Sequence, residues 1–170
     1  TALILTASVT VECAVHLKDG GAVVSVRLAA ASVIGRPGGT DAAISLAGVT
    51  GDSNLTLTGD AAGAIGLDTV DVNTLAVTGV VTLNGNLTVD TTLDLKTNVS
   101  AITLAANSVI DTAAGGTNQG ITLNDITGDF NLTLTGDAAS AIALDTVDVN
   151  TLAVTGTLTL NENVTVDTAL

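Results

Sequence analysis

Apolar and polar residues alternate along most of this chain in runs of three to five residues. The sequence reads Leu-Thr-Leu at 55–57, Leu-Ala-Val at 75–77 and Ile-Thr-Leu at 102–104. A period of two sends successive side chains to opposite faces of a β-strand. We therefore predict many short strands, each with one buried face. The expected inward pairs are Leu55/Leu57, Ile65/Leu67, Leu75/Val77, Val81/Leu83, Leu87/Val89, Leu93/Leu95, Ile102/Leu104 and Ile121/Leu123.

Turn-forming residues separate these alternating runs. Gly, Asn and Asp cluster between them, as in TGD at 58–60, NGN at 84–86 and AAGG at 113–116. Such residues favour tight turns because Gly accepts positive φ and Asn or Asp bonds nearby backbone groups. No segment has the apolar spacing of an amphipathic helix. The pattern predicts an all-β protein.

The sequence contains a long internal repeat. Residues 51–79 and 128–156 lie 77 positions apart and differ at three places, where Ser53, Gly63 and Gly66 become Phe130, Ser140 and Ala143. The similarity continues from 80–93 into 157–170. Self-similarity at a fixed period is the mark of a repeat architecture.

A fainter copy of the repeat precedes the clear one. The run TVECAVHLKD at 10–19 matches TVDTTLDLKT at 88–97. We expect one continuous array over residues 1–170, with a first, partly divergent unit at 16–93 and a second at 94–170. The chain starts and stops inside a unit and has no Met. We therefore expect it to be a piece of something longer.

Two architectures contain many short strands of this kind. Tandem β-sandwich domains of about 80 residues match the repeat length. A parallel β-solenoid, with coils of about 20 residues and about four coils per unit, matches it as well. A sandwich core is usually filled by large aromatic side chains, and this chain has one Phe and no Trp or Tyr. Stacked aliphatic side chains fill a narrow solenoid core, so we favour the parallel β-helix.

The chain is strongly acidic, and the charge is uneven. Four basic residues face 17 acidic ones, for a net charge of −13. Such a balance repels nucleic acid and anionic membranes. The longest mainly apolar stretch, 22–35, is too short to span a bilayer. Residues 1–36 carry a net charge of +1 and the remainder −14, which favours head-to-tail association.

The candidate catalytic carboxylates occur twice. Asp68 with Asp71, and Asp145 with Asp148, are the same pair copied 77 residues later. General acid–base catalysis needs a unique group whose members have separated pKa values. A pair that recurs along a rod is more typical of a scaffold, and we expect Asp68 and Asp71, three apart around a turn, to face solvent. The sequence predicts no catalytic residue and no enzymatic activity.

Cys13 and His16 resemble a nucleophile with its base. They fall in the divergent copy, where the matching residues are Thr91 and Asp94. Cysteine–histidine catalysis also needs an orienting third group and an oxyanion hole, and one Cys with one His cannot supply a zinc site. We interpret both residues as neutral substitutions in a coil that tolerates sequence change.

Calcium is the one metal that the sequence favours at all. Ca²⁺ binds carboxylate and carbonyl oxygens, and Asp-rich turns place Asp52, Asp60, Asp129 and Asp137 as candidate ligands. Neither a helix-flanked calcium loop nor a glycine-rich nonapeptide repeat is present. The alternative is that these carboxylates cap turns and keep the rod soluble. We expect no resident cofactor.

The cadence of residues 107–168 resembles that of a known family. The run NSVIDTAAGGTNQGITLNDITGDFNLTLTGDAASAIALDTVDVNTLAVTGTLTLNENVTVDT is similar to repeats of filamentous-haemagglutinin-like bacterial surface adhesins, including two-partner-secretion passengers. The resemblance covers most of the chain and is weaker before residue 40. It implies a secreted, right-handed β-helical rod that serves for display or extension and has no enzymatic activity of its own.

These observations lead to one functional expectation and one alternative. We expect an extracellular structural module of a microbial adhesin stalk, fibre or sheath at the cell surface. Its partner would be itself, or further repeats of the same polypeptide, because a solenoid unit leaves core residues uncovered at its ends. The alternative is an acidic adhesion module that binds a cation or a surface glycan.

Overall fold

The structure is a computed structural model of the 170-residue chain. It describes residues 2–7, 9–10, 15–17, 25–35, 43–59, 63–116, 119–137 and 139–168. Among these residues the helical content is a single 3-10 turn, η1 (Ala113–Gly115). No helix in the described ranges has the length and hydropathy that crossing a bilayer requires.

The other regular elements are β-strands, and nearly all are short. Their bounds are β1 (Ala2–Leu5), β2 (Val9–Thr10), β3 (Val15–Leu17), β4 (Ser25–Leu28), β5 (Ser32–Gly35), β6 (Ile44–Leu46), β7 (Val49–Thr58), β8 (Ala64–Leu67), β9 (Val70–Leu83), β10 (Leu87–Val89), β11 (Leu93–Leu95), β12 (Val99–Leu104), β13 (Ser108–Asp111), β14 (Ile121–Leu123), β15 (Ile126–Thr135), β16 (Ala141–Leu144), β17 (Val147–Thr155), β18 (Thr157–Leu160) and β19 (Val164–Val166).

The strand segments stack into three parallel ladders, and each circuit through all three is called a coil here. The first ladder contains 2–5, 25–28, 49–51, 70–72, 87–89, 108–111, 131–135 and 151–155. The second contains 9–10, 32–35, 54–58 and 74–78, then 93–95, 121–123, 141–144 and 157–160. The third contains 15–17, 44–46, 64–67, 80–83, 101–104, 126–128, 147–149 and 164–166.

This arrangement confirms the predicted β-solenoid. Strands that are neighbours in a ladder lie about 21 residues apart in the sequence. Every strand pairing in the described part of the chain is parallel, for example Val26 with Val49 and Val49 with Val70. A tandem-sandwich array would be built from antiparallel sheets instead, so the alternative architecture is wrong.

A continuous column of aliphatic side chains fills the rod. All sixteen residues of the predicted inward pairs are buried, among them Leu57, Leu83 and Ile102. Phe130, the one aromatic residue, lies outside this column and is exposed. The core therefore has the composition that excluded a sandwich: Leu, Val and Ile stacked on Leu, Val and Ile, which pack well on pleated strands.

The second ladder is interrupted in the middle of the rod. Strand β11 contacts β9 without forming a hydrogen-bonded strand pair with it. The hydroxyls of Thr91 and Thr74 lie 3.3 Å apart, while Leu93 and Leu95 remain buried. The strands β11, β14, β16 and β18 therefore form a separate four-stranded sheet. The expected unit boundary at 93/94 falls inside β11, the first strand of that sheet.

Two equivalent glycines turn the chain at corners of the rod. Gly51 and Gly128 have φ values of 142° and 145°, which L side chains rarely adopt. A Cβ atom at either position would also collide with a backbone carbonyl of the preceding coil, that of Leu28 or of Leu104. Both copies of the repeat therefore need Gly here.

The 77-residue repeat is not a whole number of coils. Val49 lies in the first ladder, whereas its equivalent Ile126 lies in the third ladder three rungs later. Leu55 lies in the second ladder, and its equivalent Leu132 lies in the first. With coils of about 21 residues, one unit advances by about three and two-thirds coils rather than the expected four. Equivalent residues of the two units therefore point in different directions.

Candidate functional site

The exposed members of the carboxylate pairs, Asp71 and Asp148, lie on the outer surface of strands. Along its ladder Asp71 stands between Thr50 and Thr88. Asp148 stands between Thr127 and Thr165, the equivalent residues of the second unit. Threonine neighbours keep like charges out of directly opposed positions, where they would destabilise the sheet. For Asp71 this placement matches the expectation of solvent exposure, and Asp148 has the same placement.

The other members of the pairs, Asp68 and Asp145, lie at corners and differ in exposure. Asp68 is half-buried, whereas Asp145 is buried. The Nζ atom of Lys96 donates a hydrogen bond of 2.6 Å to Oδ1 of Asp145, and Nδ2 of Asn161 donates one of 3.1 Å to the same oxygen. Hydrogen-bond partners therefore cover Asp145, and the expectation that Asp68 faces solvent is met only in part.

Lys96 is aimed by a turn that Asp94 builds. One carboxylate oxygen of Asp94 accepts hydrogen bonds from the backbone amides of Lys96 and Thr97, and the other accepts one from the Thr97 hydroxyl. Burial by itself raises the pKa of Asp94, but these hydrogen bonds outweigh it and leave the pKa below its ordinary value. Asp94 is thus held ionised at neutral pH as the clamp of this corner.

The Lys96 contact also determines the state of Asp145. The hydrogen bond from Lys96, supported by that from Asn161, lowers the pKa of Asp145 against the opposing effect of burial. A carboxylate that is held ionised and hydrogen-bonded is a poor proton donor. The geometry therefore assigns Asp145 to an ion pair that links coils, since residues 95 and 145 belong to rungs separated by that of β14.

The calcium candidates that the structure describes, Asp52, Asp129 and Asp137, are not grouped into a metal site. Asp52 lies in β7 and Asp129 in β15, two strands that do not pair with each other. The carboxylate of Asp137 closes a turn, accepting hydrogen bonds from the Ala139 amide and the Ser140 hydroxyl. Asp60 lies outside the described residues. Across the part of the chain that is described, no three acidic, His or Cys residues are grouped as metal ligands would be.

The candidate nucleophile lies where little of it is described. Cys13 falls outside the described residues. His16 lies in β3, where the backbone pairs with Ser45 of the next coil. The structure therefore gives no geometry for a cysteine–histidine pair.

The most distinctive surface is the last described coil, residues 151–168, called the C-terminal coil below. Leu158 and Leu160 are 39% and 48% exposed, although their strand pairs in register with the buried residues Ile142 and Leu144. Their equivalents in the first unit, Val81 and Leu83, are 0% exposed. Equivalent positions of the repeat are therefore core in one place and surface in the other, and the difference is that a further coil covers the first.

The rest of the C-terminal coil is open in the same way. Leu152, Val154, Val164 and Val166 pack on the core but remain partly exposed. At the other end of the described rod, Leu3 pairs in register with the buried Val26 and is itself 37% exposed. At both ends of the described rod, aliphatic side chains in the inward register are therefore partly exposed.

Comparisons with protein-family models, with curated proteins and with solved structures found no match for this chain. The resemblance to adhesin repeats stays a prediction.

Sequence reasoning missed two features of these surfaces. The first is the Lys96–Asp145 contact between residues 49 positions apart. Lys96 is the only basic residue after Arg36, and that isolation was a usable signal that it has an acidic partner. The second is which leucines are exposed. The alignment of 157–160 with 80–83 was the usable signal. Residues 157–160 are the last copy of that segment in the given sequence, and no later segment of it stacks on them.

Proposed function

We propose that this chain is a structural module of an extracellular rod, part of a microbial adhesin stalk, fibre or sheath, in which β-coils stack end to end. Its partners would be other copies of the same repeat, and its place would be the cell surface. The proposal includes no catalytic step and no cofactor. The observation that carries it is the exposure of Leu158 and Leu160, whose equivalents are core.

The energetics favour covering this surface. Complete burial of a leucine side chain is worth about 1.5–3 kcal/mol, and four further aliphatic side chains of the C-terminal coil are only partly covered. A terminal rung also presents backbone groups that pair readily with another strand. End-to-end association satisfies both needs with one contact. The net charge of −13 opposes it over long range, and physiological salt screens much of that repulsion.

The experiment is a sedimentation-velocity series on the chain at about 0.15 M salt. We expect the average mass to rise with protein concentration. Leu160→Lys should abolish or sharply weaken the association, because it places a charge on the inward side of the terminal strand. Thr159→Lys is the matched control, since it adds the same charge on the exposed, outward side of that strand. A chain that stays monomeric throughout, or two variants that behave alike, would contradict the proposal.

A further inference from the structure

The internal repeat shows what covers the C-terminal coil when it lies inside the rod. Residues 80–89 are the equivalents of 157–166, and the structure places residues 101–111 on top of them. Val81 pairs with Ile102 and Leu83 with Leu104. All four side chains are buried. The molecule therefore contains its own example of this surface in the covered state.

A second example lies at the start of the chain. Residues 2–5 correspond in sequence to 80–83, and 25–28 correspond to 101–104. The structure again stacks the second segment on the first, with Leu3 opposite Val26 and Leu5 opposite Leu28. Two diverged copies of this segment are thus covered by equivalent strands in the same register.

We infer that the C-terminal coil prefers one occupant, a coil of this repeat that begins in the phase of Asp94, over the N-terminal coil of a second copy, which begins near the phase of residue 80. This inference rests on the proposed function and names the partner of the same surface. In that phase, side chains equivalent to Ile102, Leu104 and Ile110 cover Leu158, Leu160 and Val164, as they cover Val81, Leu83 and Leu87.

The outer surface accepts the same register. In the covered example, outward-facing Thr82 lies beside Thr103, and Thr159 is the equivalent of Thr82. Two threonines are a favourable cross-strand pair, and no like charges meet at this position. An extension that begins at residue 105 would place Ala113 and Gly115 over Leu158 and Leu160, and these small residues leave gaps in which the leucines lose packing contacts.

The test extends the chain in three ways. The first variant carries a second copy of residues 94–135 directly after Leu170, which is the sequence equivalent of Leu93. The second carries the same extension with Ile102→Asp, Leu104→Asp and Ile110→Asp in the appended copy alone. The third carries residues 105–146, so that a coil of equal length is entered about half a coil out of phase.

Hydrogen exchange of the amides at 157–166 is the readout, at a concentration where the unextended chain is monomeric. We expect the in-phase extension to slow this exchange by about tenfold or more, and both controls to leave it near the rate of the unextended chain. An in-phase extension without effect would overturn the inference, as would equal slowing by the out-of-phase coil. Sedimentation of the unextended chain tests the proposed function separately: if it never associates and the in-phase coil still protects, stacking between molecules fails while the phase preference stands.

Discussion

At the residue scale, one ion pair joins two coils of the described rod. Asp145 occupies the position of the repeat that Asp68 occupies in the first unit, and its carboxylate accepts a hydrogen bond from Lys96. The lysine comes from a coil two rungs below, at a corner that Asp94 holds in shape. Asp145 is buried and Asp68 is half-buried, so equivalent residues in identical local sequence differ in exposure.

This pair makes a pH-dependent contribution to stability. The folded-state pKa of Asp145 is lowered by Lys96, so its contribution is present above the ordinary carboxyl pKa of about 4 and is lost as the pH falls through the folded value. Lys96→Gln should therefore lower the melting temperature at pH 7, by a few degrees at most for a half-exposed lysine, and have little effect in strong acid.

Thermal melting followed by circular dichroism from pH 7 to pH 2 measures this difference between the variant and the parent chain. Asp148→Asn, which changes an exposed carboxylate between two threonines, is the control, and its effect should lack this dependence on Lys96. A Lys96→Gln deficit that is the same at every pH would show that packing of the lysine chain, rather than its charge, is what matters.

At the scale of elements, each strand has a stability that depends on what lies above and below it. β9 and β18 carry the same alternating pattern at 80–83 and 157–160. The first is enclosed between coils and the second has a neighbour on one side only. In a solenoid, stability is close to a sum of nearest-neighbour terms, so position along the rod outweighs sequence here.

Matched truncations measure this dependence. Leu83→Ala removes a fully buried side chain and should cost about 2–5 kcal/mol of unfolding free energy, the range for cavity-forming core substitutions. Leu160→Ala, at the equivalent position, should cost less than about 1 kcal/mol, because its side chain is already half in water. Urea unfolding of the dilute, monomeric chain gives both values. Equal costs would mean that the C-terminal coil is covered in solution.

The sequence predicted the elements well and the corners poorly. All eight inward pairs were identifiable because a strand of period two allows one choice of buried face. The corner loops escaped prediction. Between ladder partners the chain spans 17 residues from Val70 to Leu87 but 28 from Leu93 to Ile121, and loop lengths of this kind carry no hydrophobic period. The Lys96 contact depends on that corner geometry.

At the scale of the whole molecule, the length of the sequence repeat is not a whole number of coils. One unit advances by about three and two-thirds coils, so the outward surface of the second unit is turned by about a third of a turn from that of the first. In a longer array the same outward residues would face three directions in succession. A partner that recognises the unit would meet it from several sides of the rod.

Distances between spin labels report this rotation. In a Cys13→Ser background, labels at Asp71→Cys and Asp148→Cys should lie well beyond the 19 Å that four stacked coils on one ladder would give, at about 4.8 Å per rung. Asp71→Cys with Asp111→Cys is the control, because both lie in the first ladder with Thr88 between them, about 10 Å apart. A pulsed-resonance distance near 19 Å for the first pair would place the two units in line.

The sequence alone determined the class of this protein: alternation predicted the strands, the lack of aromatic side chains excluded a sandwich core, and self-similarity predicted a stack. Tertiary structure alone decided the phase of that stack, the partner of Lys96, and which of the equivalent repeat segments is exposed to solvent. Alternation is local, and it fixes which side chains point inward. The number of residues at each corner determines which ladder and which coil a strand joins. This placement is determined only when every coil packs on the one before it.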